Sequence, residues 1–352
     1  MQKVSLAAKS PRLFKIKLFS FVLLFCLLVA AVLFIENLLV SLVAATVIVF
    51  LTEPFVTGLE ARGLERTKAI IFMFLATTAV SILLLLIFAP LAYEQFMTLK
   101  SRIPVYIEGA TQLFGKADVY LQSIAGSAFD IDFVTRTSNW LLTQTNNLVS
   151  TLPNFLSASI SVFFLSPLLG FFILKDGRRF SRDFLSLVPN EYFELVLNMQ
   201  YQINQQIGFF IRARILEALI VGGVVLIGLW SVGFPYAVIL SIFAALTNLI
   251  PYIGPIIGAI PPIIIGLMNH DSSIYIMLVM AVYILAQLVD MFVIIPLIVA
   301  KIVNMHPVTV ILVVILGAQF MGVLGMIISI PVASACKVAL TSFYKHLTDY
   351  SN

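Results

Sequence analysis

Charge is what this chain has least of. Asp, Glu, Lys and Arg make up 11% of its 352 residues, against about 25% in soluble domains, while 61% are apolar. Together with a mean hydropathy of +1.07, this excludes a water-soluble globule and predicts an integral membrane protein whose main partner is the lipid bilayer. The net charge of +4 falls in blocks between apolar runs, a topology signal that argues against nucleic-acid binding. Cysteine is nearly missing too. Cys26 and Cys336 lie at opposite ends of the chain with no CxxC pair, which argues against a disulfide framework or a thiolate metal site. His270, His306 and His346 have no second ligand at metal spacing, so neither a metal nor a cofactor is expected.

Enzyme signatures are absent as well. The sequence has no HExxH, no GxSxG nucleophile turn and no Walker A loop, which argues against membrane metalloprotease, serine-hydrolase and directly ATP-coupled chemistry. An intramembrane aspartyl protease needs two facing acids, and one acid alone, Asp290, reads as deep.

What is present is length and apolarity. Six segments read as spanning helices: Leu18 to Ile35, Leu38 to Leu51, Ala69 to Ala92, Phe155 to Leu174, Leu216 to Val232 and Ile274 to Val299. The first follows Lys3, Lys9, Arg12, Lys15 and Lys17 as a secretory signal would. It is longer than an h-region and the second segment follows at once, so it is read as retained. Between Tyr93 and Leu152 the composition turns polar, predicting an extracytoplasmic module of short amphipathic helices. From Lys175 to Arg214 a second polar stretch carries Val196, Ile203 and Phe210 every seven residues, with Tyr192, Met199 and Gln206 as companions. That seam fits either a subunit contact or packing on the chain's own membrane domain.

Two further apolar stretches are punctuated. Pro235 to Leu267 contains Pro251, Pro255, Pro261 and Pro262 with Gly254 and Gly258, and Pro307 to Ala335 contains Gly317, Gly322, Gly325 and Pro331. Each begins at proline, runs apolar, breaks at polar and glycine residues, and resumes. They read as re-entrant helical hairpins, since broken backbone at membrane depth is tolerated where protein or water covers it. The expected fold is an all-α polytopic membrane protein with about six spanning helices and two re-entrant hairpins forming an inverted repeat. Basic residues place the N-terminus, the Arg62 to Lys68 loop and Lys175 to Arg214 in the cytoplasm. Re-entry puts Lys301 inside, as the positive-inside rule favours, and the C-terminus with Lys337 and Lys345 is cytoplasmic either way.

An acid at the centre of a membrane helix costs about 2.5–3.5 kcal/mol on insertion scales, so Asp290 is a functional candidate by default. Tyr283, Gln287 and Asp290 stand at i, i+4 and i+7, on one helix face. Asp290 reads either as a proton or cation site, or as a structural acid bonded to hairpin backbone. Glu217 lies at a helix entrance one turn after Arg214, and a local ion pair accounts for it. At the tip of the first hairpin stand Asn248 and Tyr252, and at the second Gln319; an amide on each tip closes over one solute from two sides. Pro296 follows the acid within its helix. Gly254 and Gly258 form a GxxxG pair that permits close helix approach.

The run from Asn248 to Pro262, NLIPYIGPIIGAIPP, resembles the autoinducer-2 exporter family, also called PerM-type permeases. The resemblance continues through Gln287, Asp290, Pro296, His306-Pro307 and the Gly317, Gly322, Gly325, Pro331 series, with Asp176-Gly177 after the fourth helix. It covers most of the chain in layout, and its specific motifs lie between Asn248 and Pro331. Met291 stands where such a protein is expected to have a polar residue, and Ala300 where it is expected to have glycine; both weigh against a cation site built around Asp290. The resemblance implies a bacterial inner-membrane protein, a homopentamer working by an elevator-like movement. It further implies export of autoinducer-2 or exchange of Na+ or Li+ for H+.

The sequence therefore predicts a secondary transporter of a small polar solute. Its expected parts are scaffold helices (1–92), an extracytoplasmic module (93–152), a fourth membrane helix (153–175), a cytoplasmic amphipathic segment (176–214), a transport unit (215–335) and a cytoplasmic tail (336–352). The alternatives are a cation/proton antiporter and a membrane scaffold or receptor that transports nothing.

Overall fold

The computed structural model describes residues 38–125, 143, 162–269, 273–299 and 305–349. The first apolar segment, Cys26, the polar module beyond Ala125 apart from Thr143, His270, Ala300 and Lys301 lie outside the described residues. Among those described, every regular element is helical. We number the helices α1 (Leu38–Ala61), α2 (Arg66–Ala125), α3 (162–185), α4 (Asn190–Ser231), α5 (Ala237–Asn248), α6 (Gly254–Asn269), α7 (Ser273–Val289) and α8 (Pro307–Asp349); a π-helical segment, Asp290–Val299, continues α7.

Among the described residues, four segments are long and apolar enough to cross a membrane: Leu38–Ala61, Arg66–Tyr106, Ile274–Ile294 and Val308–His346. The second predicted span thus extends ten residues past Leu51, which its length required. Leu216 to Val232 is the apolar end of the mixed helix α4 and is not among the four. Leu83, Leu84, Leu85, Leu86 and Ile87 on α2 are all about half exposed or more. Such a surface is unfavourable in water and natural against hydrocarbon.

The predicted boundary at Tyr93 falls inside one continuous helix. Pro90 and Pro104 both lie within α2, which runs on to Ala125. A proline removes one intrahelical hydrogen bond and kinks a helix without having to end it. The boundaries at residues 175 and 214 likewise fall inside α3 and α4.

α1 buries Ser41, Ala45, Val49, Thr52 and Val56, a stripe at spacings of three and four. Val49 and Val56 pack with Ala69 and Ile70 of α2 and Leu174 of α3. Glu60 ties the ends of these helices together, accepting from Arg66 at 3.2 Å and Arg178 at 3.0 Å, and Arg66 Nη2 also donates to the Leu174 carbonyl at 2.7 Å.

The larger core surrounds α4. Val221, Val225 and Leu229 pack with Ala237, Leu240 and Ala244 of α5 and with Val279, Val282 and Ala286 of α7. Gly222 and Gly228 allow this: a methyl on Gly222 would stand 2.8 Å from Ala245 Cβ, and one on Gly228 would overlap Val282. The heptad seam on the first half of α4 packs against the chain's own C-terminal helix. Phe210 joins a cluster with Val310, Val314 and Ile330, Ser334 donates to Gln206, and the Tyr192 and His346 rings meet at 5.7 Å.

Both broken stretches are hairpins. α5 and α6 turn about residues 249–253, where Tyr252 takes φ +65°, and a methyl on Gly258 would come within 2.8 Å of Thr247 Oγ1. We call this hairpin 1. Hairpin 2 is made by α8, which reverses at Met321 (φ −140°) and Gly322 (φ +59°). Its arms close on each other at Gly317 and Gly325, whose backbones leave no room for a side chain. Gly322 occupies the left-handed region that glycine reaches without steric cost.

The outer end of hairpin 1 is held by α2. The first backbone N–H groups of a helix have no partner within it, and here Val238 and Ile239 both donate to Gln95 Oε1, at 3.1 and 3.2 Å. Next to this cap the Tyr106 and Tyr236 hydroxyls meet at 3.4 Å.

Candidate functional site

An open cavity of about 690 Å³ lies between α4, hairpin 1 and α7. Most of its wall is aliphatic, and its polar groups come from three elements. α4 carries Arg214 and Glu217, α5 ends at Asn248, and α7 brings Tyr283 and Gln287 before Asp290 opens the π segment.

Asp290 reaches the cavity because of the face it shares. Val279, Val282 and Ala286 are the buried positions of α7, and steps of three, four and four put Asp290 next on the same stripe. The helix widens to π geometry at that residue. Pro296, six residues after Asp290 in the segment, has no N–H to continue a regular ladder, and π turns inside α-helices recur at functional positions.

Arg214 Nη1 donates to both Glu217 oxygens, at 2.7 and 2.9 Å. Asn248 Nδ2 approaches Glu217 Oε1 at 3.5 Å, and the Arg214 guanidinium lies 5.5 Å from the Phe210 ring centroid. The Asp290 carboxyl neighbours that of Glu217. Asp290 is 4% exposed, Glu217 2% and Asn248 3%. Burying such charges costs several kcal/mol per ion and is sustained only where they are paired and hydrogen-bonded. The pairing is incomplete. Asp290 Oδ1, Tyr283 Oη and Arg214 Nε are buried with no hydrogen-bond partner. A cavity lined by buried polar atoms without partners is arranged to receive a proton, a solute group or water.

The structure brings together Asn248, Tyr252, Tyr283, Gln287, Asp290 and Glu217, along with Pro251, Pro255 and Gly258 of hairpin 1. Tyr283, Gln287 and Asp290 do share one side, but Gln287 sits at its exposed edge. Gly254 and Pro261 shape hairpin 1 without lining the cavity, and Pro296 is exposed in the π segment. Pro307, Gly317, Gly322, Gly325 and Pro331 belong to hairpin 2, where Pro331 is buried. Gln319 is exposed near that tip and is not part of the cavity lining. Asp176 is exposed on α3, away from the cavity. Among the described residues no group of three or more His, Cys, Asp or Glu is placed to hold a metal ion.

Sequence reading found Arg214 and Glu217 as a local ion pair, which the structure shows, and did not place that pair beside Asp290. One signal points to them. From Glu217 to Val299 the chain has no Lys or Arg at all, so a counter-charge for Asp290 has to come from just outside that stretch, and Arg214 is the nearest on the N-terminal side.

Apolar helices long enough to cross a membrane, two broken hairpins, and a buried charge cluster opening into a mostly apolar cavity define a polytopic membrane transporter. The family model for "AI-2E family transporter" matches residues 19–345, and the chain belongs to that family. YueF of Bacillus subtilis strain 168, provisionally named a transport protein, is 28% identical over 87% of this chain and 84% of its own length. YrrI from the same organism, with the same provisional description, is 26% identical over 90% and 89%. PerM of Escherichia coli K12, provisionally named a permease, is 24% identical over 87% and 88%.

Proposed function

We propose that the chain is a secondary transporter that moves a small solute bearing a polar group by alternating access, with the cavity between α4, hairpin 1 and α7 as its binding site. The observation that carries this reading is the buried Arg214, Glu217 and Asp290 cluster facing open space with Asp290 Oδ1 unpaired. A permanently structural cluster would satisfy its acceptors, because each unsatisfied buried charge acceptor costs about 1–3 kcal/mol or more. Asp290 supplies coupling by exchanging a proton or cation as hairpin 1 opens and closes over the site. Movement of one charge across the membrane is worth about 2.3 kcal/mol per 100 mV, enough to drive export.

Autoinducer-2 is the first solute to test, in keeping with the family's name, and residence in a bacterial inner membrane with cytoplasmic termini belongs to the same reading. So do elevator-like movement and a homo-oligomeric, pentameric assembly. The experiment is flux into proteoliposomes containing the purified chain under an imposed pH gradient. Gradient-dependent movement that Asp290→Asn uncouples is the expected result. Absence of flux for every solute tried, with a partner protein co-purifying stably, would instead make the chain a scaffold or receptor.

A further inference from the structure

Charge counting at the cavity identifies what it takes. Both Glu217 oxygens engage Arg214, and Arg214 is the one Lys, Arg or His in the cavity lining among the described residues. The titratable groups around Asp290 are Arg214 and Glu217 on α4, Tyr252 at the hairpin 1 turn and Tyr283 on α7. Two carboxyls therefore share one guanidinium, leaving the site short of one positive charge where an unbalanced charge is expensive. Asp290 is almost fully buried, its Oδ1 has no partner, and it lines the open space.

The wall beyond the charges has a different chemistry. Val221, Val225, Ile256, Ile260, Met280 and Ile284 line it, and Ile256 and Ile284, 67% and 55% exposed, carry the apolar surface out to the side of the chain. A volume of about 690 Å³ falls within the ~300–1,000 Å³ of sites that enclose drug-sized ligands. A compact polyhydroxylated solute would leave this wall without an apolar partner and many of its own hydroxyls without acceptors.

We propose that the cavity binds an amphiphilic organic cation, a protonated or quaternary ammonium on an apolar body, whose head pairs with Asp290 in exchange for a proton. The inference rests on the transporter reading of the same cavity and names its substrate class. When the site is empty of solute, a proton held between Asp290 and Glu217 makes up the charge deficit. When the cation enters, that proton leaves to water, so the charge of the site is unchanged and no bare carboxylate is left facing an apolar wall. Occupancy by cation and proton are mutually exclusive, which is the condition for coupled exchange.

The test uses trimethyl(1-naphthylmethyl)ammonium as the cation and 1-naphthylmethanol as its neutral counterpart, each titrated against the purified full chain in detergent. The cation is expected to bind at least about tenfold more tightly than the alcohol, the scale of one hydrogen bond or contact to a charged group, and to release a proton into weakly buffered solution. Asp290→Asn is expected to remove both the preference and the proton release, and Asp290→Glu to restore them, which separates loss of the charge from loss of the fold. Equal binding of the two compounds, or a preference that survives Asp290→Asn, overturns the proposal. Proteoliposomes separate it from the broader reading. If autoinducer-2 crosses while the naphthyl cation neither binds nor crosses, the substrate class is wrong and the transporter stands; if nothing crosses, both fall.

Discussion

Hairpin 1 and hairpin 2 are held together by the same means and end in different surroundings. In each, glycines let two helical arms touch at backbone distance, Gly254 and Gly258 against the Ala244 to Thr247 stretch in one and Gly317 against Gly325 in the other. At the first tip, Asn248 is 3% exposed and bonded to a carboxyl that an arginine already holds. At the second, Gln319 is exposed and Phe320 is 83% exposed. Shape therefore comes from small residues in both, but chemistry comes to the hairpin that meets charges on a neighbouring helix.

The sharpest way to break that contrast is to remove the charge that anchors the first tip. Arg214→Leu leaves two buried acids uncompensated and is expected to destabilise the chain by about 3–5 kcal/mol, seen as a large fall in the thermal unfolding temperature in detergent. Adding Glu217→Leu should recover much of the loss. A single Arg214→Leu variant as stable as the original would mean that the cluster is solvated and the contrast illusory. Asp290→Asn removes a carboxyl without removing volume. It is expected to abolish the dependence of flux on an imposed pH gradient while sparing part of the downhill flux, as measured by paired assays with and without the gradient.

Smaller effects test the shared part of the comparison. Gly254→Ala and Gly325→Ala each force a methyl into backbone, and overpacking of this kind costs typically 1–3 kcal/mol. Similar losses in both variants would sharpen the idea of one closing device used twice; a loss confined to one hairpin would break it. The last pair concerns the tips and contains the smallest expected effect. Asn248→Ala withdraws a hydrogen bond from a buried charge and is expected to cost about 1.5–3 kcal/mol, whereas Gln319→Ala, at an exposed position, should stay within about 0.5 kcal/mol. If Gln319→Ala reduces flux as strongly as Asn248→Ala, the second tip reaches the solute path in a way the isolated chain does not display.

Much of this arrangement was legible in local pattern. Proline and glycine punctuation placed both hairpins, because those residues act through their own backbone geometry. Asp290 announced itself by the cost of its setting. What local pattern hid were relations between elements. The pairing of Arg214 with Glu217 is visible at spacing three, but nothing in that spacing says that Asn248 and Asp290 arrive from two other helices. The heptad seam around Phe210 is equally compatible with another subunit, and the partner it has within the chain, both arms of hairpin 2, becomes visible only with the fold. The change to polar composition at Tyr93 misled in the opposite direction. It reads as the end of a membrane helix, yet α2 runs through it and through Pro90 and Pro104 as well, since an i to i+4 ladder survives the loss of single members.

Gln95 lends its side-chain oxygen to two backbone hydrogens at the head of α5. Any sliding of hairpin 1 past α2 has to choose between two accounts of that bond. Either it is released, baring two amide hydrogens among apolar neighbours at about 1–3 kcal/mol each, or the long helix is carried along as cargo. If hairpin 1 moves as proposed, the frontier between what travels and what stays put crosses a forked hydrogen bond or else lies beyond α2 altogether.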